Sequence, residues 1–208
     1  MKIRLLGLIA SIALLSLWPA SAHATTITYT ASLNGASESP ANASPGTGAA
    51  TVIIDDLLNT MEVQVIFSDL LAPDTASHIH CCTAVPGTGT AGVATTTPTF
   101  TGFPSGVTSG SYDHIFDLTL ASSYNPAFVT ASGGTVPSAE ADLLAGLAAD
   151  KAYLNIHSSL VPGGEIRGFL HAEQAPAVPE PATLSLLGLG LAASGLRTWR
   201  ARRTAASK

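Results

Sequence analysis

Positive charge is scarce through most of this chain. Between Thr25 and Val178 only Lys151 and Arg167 are basic, against thirteen acidic residues. The net charge of −5 over all 208 residues therefore hides a balance of −11 across this stretch. Attraction to phosphates needs a basic surface, so a nucleic-acid or polyphosphate ligand is excluded, whereas divalent cations or plain solubility outside the cell suit such a balance. Cysteine is nearly absent, with two residues, Cys81 and Cys82, side by side. Catalytic signatures are missing too: there is no Gly-x-Ser-x-Gly, no phosphate loop and no zinc-protease helix motif, and no Ser/His/Asp set is ordered into a triad. Asp55, Asp56, Asp69 and Asp74 lack the spacing of a calcium loop. No internal repeat is present. These absences point away from an enzyme.

Both ends read as targeting segments. Met1 to Ala24 has Lys2 and Arg4, an apolar run from Leu5 to Trp18, and the small-x-small triplet Ala22-His23-Ala24. This predicts a secretory signal peptide cleaved after Ala24. The run is apolar all round and carries no polar stripe, which argues against a buried amphipathic helix. At the other end, Ala182 to Leu196 is free of charge and is followed by Arg197, Arg200, Arg202, Arg203 and Lys208. As a helix it would cover roughly 22 Å, extended by Trp199 and snorkelling arginines toward the ~30 Å of a hydrocarbon core, with the basic tail in the cytoplasm. Val178-Pro179-Glu180-Pro181-Ala182-Thr183 stands just before it. The ensemble from Val178 to Arg203 closely resembles the PEP-CTERM sorting signal of Gram-negative bacteria. That resemblance implies export, transient anchoring in the inner membrane, and processing near Pro179-Glu180-Pro181 by an exosortase-type enzyme. The expected organisation is a signal peptide (1–24), one β domain (25–174), a linker (175–181), and an apolar helix with a basic tail (182–203).

The middle is long enough for one domain with a proper core and too short for two. Its Thr, Ser, Ala, Gly and Val residues disfavour long helices and suit an all-β fold with many turns. Strand character appears at Ile27–Ala31, Ala50–Asp55, Met61–Ser68 and Tyr112–Leu120, with a short segment at Ser77–Cys82. In Met61–Ser68, Met61, Val63, Val65 and Phe67 alternate with polar residues, Ile66 being the exception. Thr83–Ser109 is a Gly/Thr/Pro/Val loop with Phe100 and Phe103, and loops of that length tend to be functional or mobile. One helix is predicted, Ser138–Ala149, with Ser138 as N-cap, Glu140 and Asp142 in the first turn, and Leu143, Leu144 and Leu147 on one side. Tyr153–Leu170 reads as a β-hairpin whose loop contains Pro162-Gly163-Gly164. By strand alternation Leu154 and Ile156 share one face, and Tyr153, Asn155 and His157 the other.

Leu33-Asn34-Gly35-Ala36-Ser37-Glu38-Ser39-Pro40, Ser77-His78-Ile79-His80, Asn155-Ile156-His157 and Pro162-Gly163-Gly164-Glu165-Ile166-Arg167-Gly168, in that order, resemble the chordin-type (CHRD) domain. The resemblance covers Ile27 to Leu170. It implies an extracellular compartment and an antiparallel β-sandwich or barrel; in animals the domain occurs in extracellular antagonists of growth factors. This chain departs from the family in having Cys81-Cys82 after His-Ile-His, where glycine is usual, and in a longer middle section.

His78 and His80 lie on one face of an extended segment, about 7 Å apart at the backbone, and His157 would join them if the hairpin lies alongside. The pattern is similar in arrangement to copper-zinc superoxide dismutase, with His114 as a spare candidate. Two readings stand: a buried polar cluster bonded to Asn155, Tyr153 or a carboxylate, or a copper or zinc site, with redox activity as its extension. Cys81 and Cys82 form a vicinal disulfide, pair between molecules, or join the histidines as soft ligands; the first is favoured as a local clamp. Glu165 and Arg167 are expected to form an ion pair that pins the hairpin. The reading of the whole is an exported, membrane-sorted, non-enzymatic binding or structural component of the envelope or extracellular matrix. Its partners would be the processing enzyme and a polysaccharide or protein of the envelope.

Overall fold

The computed structural model describes residues 26–173. The signal peptide, linker, sorting motif and C-terminal helix read from the sequence lie outside the described residues. Among the described residues, no helix is long and apolar enough to cross a membrane.

Alternating side chains build the first half of the sheet. In β1 (Thr26–Asn34), Tyr29, Ala31 and Leu33 point inward; β2 (Thr47–Asp55) adds Ala50, Val52 and Ile54; β3 (Thr60–Ser68) adds Met61, Val63, Val65 and Phe67. Ile66, the exception to the alternation, is exposed. After β4 (Asp74–His80) come a long loop, β5 (Gly110–Asp117), the helices α1 (Pro126–Ala131) and α2 (Val136–Ala148), then β6 (Tyr153–Ser158), β7 (Ile166–Phe169) and β8 (His171–Ala172). All strand pairings are antiparallel, in the order β4-β6-β7-β1-β2-β3-β5, with β8 following β7 along the edge of β1. Ile79 of β4 and Phe116 of β5 sit at opposite ends of that order, yet they share one hydrophobic core. The sheet therefore curls on itself as a half-barrel, which matches the expected all-β antiparallel class.

The helical region departs from expectation in two ways. α2 starts earlier than read: Thr135 is the N-cap, its hydroxyl accepting from the Ser138 amide, while the Ser138 side chain accepts from the Thr135 amide in a capping box. Glu140 and Asp142 consequently fall beyond the first turn. α1, capped by Asn125 with Pro126 at its first position, was not anticipated; six residues are too few to show a helical period.

The loop from residue 81 to 109 is tied down. β4 is an edge strand, and the loop covers that edge: the Ala94 amide donates to the Ile79 carbonyl, the Phe100 amide to the Ser77 carbonyl, and the Ser77 amide to the Thr99 hydroxyl. Phe100 anchors it in the core beside Phe103, Tyr112 and Phe116.

Candidate metal centre

In β4 Ser77 and Ile79 face one way while His78 and His80 face the other. β6 runs beside it in the register His80↔Tyr153, His78↔Asn155 and Ala76↔His157, which sets His157 diagonally across from His78. The hairpin thus lies where the third histidine was needed. The ring centroids are 5.4 Å apart for His78 and His157, 5.9 Å for His78 and His80, and 6.0 Å for His80 and His157. The face read from the sequence as polar is largely buried, with His78 6% and His80 9% exposed and His157 half-buried, because the 81–109 loop and the segment after β1 lie over it.

Each imidazole is held by one backbone carbonyl. His78 Nε2 lies 2.6 Å from the Pro98 oxygen, His80 Nδ1 2.9 Å from Ala91, and His157 Nδ1 2.8 Å from Pro162. A carbonyl only accepts, so these nitrogens carry the protons and donate. The other nitrogen of each neutral ring carries a lone pair. Those three atoms, His78 Nδ1, His80 Nε2 and His157 Nε2, are all buried and without a hydrogen-bond partner. One donor atom from each ring lies within 4.8 Å of the others. An ion bonded to imidazole nitrogens at about 2.0 Å would fit after a small inward movement of the rings. The carbonyls fix tautomer and orientation, as second-shell acceptors do around bound metals.

Burial also keeps the trio neutral. It pushes His80 down to about 4, helped by the proximity of His157, His78 and Arg167, and it lowers His78 and His157 as well. Neutral imidazole is the form that ligates metal.

The expected Glu165–Arg167 pair is not what the structure shows. Glu165 ends the turn before β7, and its carboxylate accepts from the Ser44 hydroxyl and the Leu71 amide. Arg167 lies inside β7 and pairs with Glu38 at 3.8 Å, while donating to the carbonyls of Ser37 and Gly89. Glu38, in the turn after β1, was missed as a functional residue. Burial lifts its carboxyl to about 7 despite the guanidinium beside it. Arg167 also stacks over the Tyr153 ring at 4.7 Å, and Tyr153 in turn stacks on His80 at 4.8 Å. The phenol hydroxyl of Tyr153 lies 3.3 Å from the Ala91 carbonyl that holds His80.

Cys81 and Cys82 are joined to one another. Their sulfurs pack against Gly146 of α2, and the metal-donor cluster contains histidines alone, so the soft-ligand alternative does not describe this arrangement. His114 stands apart from the trio, on β5, edge-on to Phe116.

Residues 29–170 match the CHRD domain family, and residues 177–203 match the PEP-CTERM protein-sorting motif. No curated protein and no solved structure matches the chain.

Proposed function

The chain belongs to the CHRD-domain family and carries a sorting motif for export and exosortase-type processing, and from that premise we propose that it is an envelope protein whose β domain binds a transition-metal ion, copper or zinc, through His78, His80 and His157. The observation that carries the reading is the convergence of three buried imidazole nitrogens that no protein group satisfies. A polar packing cluster would use its neighbours, since leaving a buried acceptor unmade costs about 1–3 kcal/mol each. Here those neighbours are occupied elsewhere: the Asn155 amide donates to Glu38, and the Tyr153 hydroxyl bonds to the 91 position. A metal ion would satisfy all three nitrogens at once.

In this reading the protein is a non-catalytic binding component of the cell surface or extracellular matrix. Before processing at Pro179-Glu180-Pro181 it is held transiently in the inner membrane by the apolar stretch Ala182–Leu196. The test is elemental analysis of the processed protein purified without a histidine tag from the host envelope, beside a His78→Ala/His80→Ala variant. About one equivalent of copper or zinc, lost in the folded variant, is expected. A folded wild-type protein that takes up neither metal after dialysis against both would overturn the proposal.

A further inference from the structure

We infer that the three-histidine site selects a monovalent soft cation, the cuprous ion, over divalent zinc or cupric ion; the inference rests on the metal reading above and narrows it. The donor set comes first. Three neutral imidazoles supply no negative charge, and among the described residues the cluster has no carboxylate or thiolate member. One oxygen of Glu165 accepts from Ser44 and Leu71, one oxygen of Glu38 faces Arg167, and the two sulfurs are bonded to each other, so none of these groups is a member of the cluster. An ion here keeps its whole charge in a largely buried place, and the cost of burying charge rises with its square. One charge is tolerated far better than two.

Arg167 works in the same direction. Its guanidinium stacks 4.7 Å over Tyr153, which stacks 4.8 Å on His80, so it lies no more than about 10 Å from a ligand ring, with only an aromatic side chain between them. At that distance and an effective dielectric of about 20, the second charge of a divalent ion loses roughly tenfold in affinity. The countercharge of Glu38 offsets this incompletely, because burial holds its carboxyl at about 7. Coordination number agrees: three nitrogens alone complete a trigonal cuprous site, whereas zinc would need a water brought in as its fourth ligand and cupric ion favours a tetragonal set.

The experiment measures three affinities on the processed protein purified from the host envelope: Cu(I) under anaerobic reduction against a colorimetric cuprous chelator, and Cu(II) and Zn(II) against their own chelators. The expected result is one Cu(I) bound well over tenfold more tightly than either divalent ion and lost in His78→Ala/His80→Ala. Each tenfold in the Cu(I)/Cu(II) ratio raises the copper couple by about 59 mV. Arg167→Gln should shrink that ratio roughly tenfold. Glu38→Gln, which leaves the guanidinium without its countercharge, should enlarge it and provides the reading if Arg167→Gln does not fold. Zinc or cupric ion bound as tightly as Cu(I), or a ratio unmoved by either substitution in a folded protein, would overturn the inference and leave the metal site standing. Failure to bind any of the three ions would remove the metal reading itself.

Discussion

A histidine that is buried and neutral makes stability depend on pH in a defined direction. The pKa of His80 in the fold is about 4, below the ~6.5 of the unfolded chain. Its contribution is therefore fully present above pH 6.5 and is lost as pH falls toward 4, because the unfolded chain takes up the proton first. For the metal-free protein this amounts to a loss on the order of 3 kcal/mol across that window. His80→Asn keeps a donor for the Ala91 carbonyl but cannot titrate, so denaturation of the two proteins at stepped pH should show a clearly flatter acid limb for the variant. Equal slopes would mean that His80 is not held neutral by its surroundings. At this scale the sequence was partly legible. Strand period placed His78 and His80 together and His157 on the polar-patterned side of its hairpin. The carbonyls of Pro98, Ala91 and Pro162 were invisible, since every residue carries one and only the fold selects which three are used.

Among the elements, the joint between β7 and its neighbours carries the strongest constraints. Gly168 of β7 stands so close to β1 that an added Cβ would meet the carbonyl of Ser32, a backbone atom that cannot swing aside. Gly168→Ala should part the two strands and cost at least about 2 kcal/mol, measured by chemical denaturation. Arg167 on the same strand is predicted to act through Glu38. Truncating it in Arg167→Met leaves a buried carboxyl whose pKa, already about 7, rises further. A carboxyl raised in the fold weakens stability as pH climbs from the unfolded value of about 4.5 through the folded one. The deficit of the variant should therefore be smaller at pH 6 and approach about 3–5 kcal/mol at pH 8. A deficit independent of pH would mean that Glu38 does not respond to Arg167. Sequence alternation found the hairpin but misassigned this ion pair. It counted Glu165 as part of the strand, where the chain is still leaving its turn, and it had no means of knowing that the turn after β1 lies over β7.

Over the whole molecule, acidic residues dominate from Thr25 to Val178, yet the candidate site is neutral and has a cation nearby. The composition said nothing of the buried face beneath the loops, nor that the acidic Glu38, Asp74 and Glu165 are buried too. The all-β class, the C-terminal sorting motif and the family order of motifs were readable because each rests on local pattern. The closure of the 81–109 loop over β4 depends on long-range partners and was not. A ligand that binds only the folded chain stabilises it by mass action, about 2.7 kcal/mol at a free concentration one hundred times Kd. Copper should therefore raise the melting temperature of the wild-type protein and leave that of His78→Ala/His80→Ala unchanged. A similar rise in both would place the metal elsewhere.

X-ray absorption of the copper-loaded full chain reads the donors directly. The account predicts a first shell of three nitrogen scatterers at about 2.0 Å, with the outer-shell pattern of imidazole and no sulfur at about 2.3 Å. A sulfur scatterer, or a shell without imidazole, would contradict it.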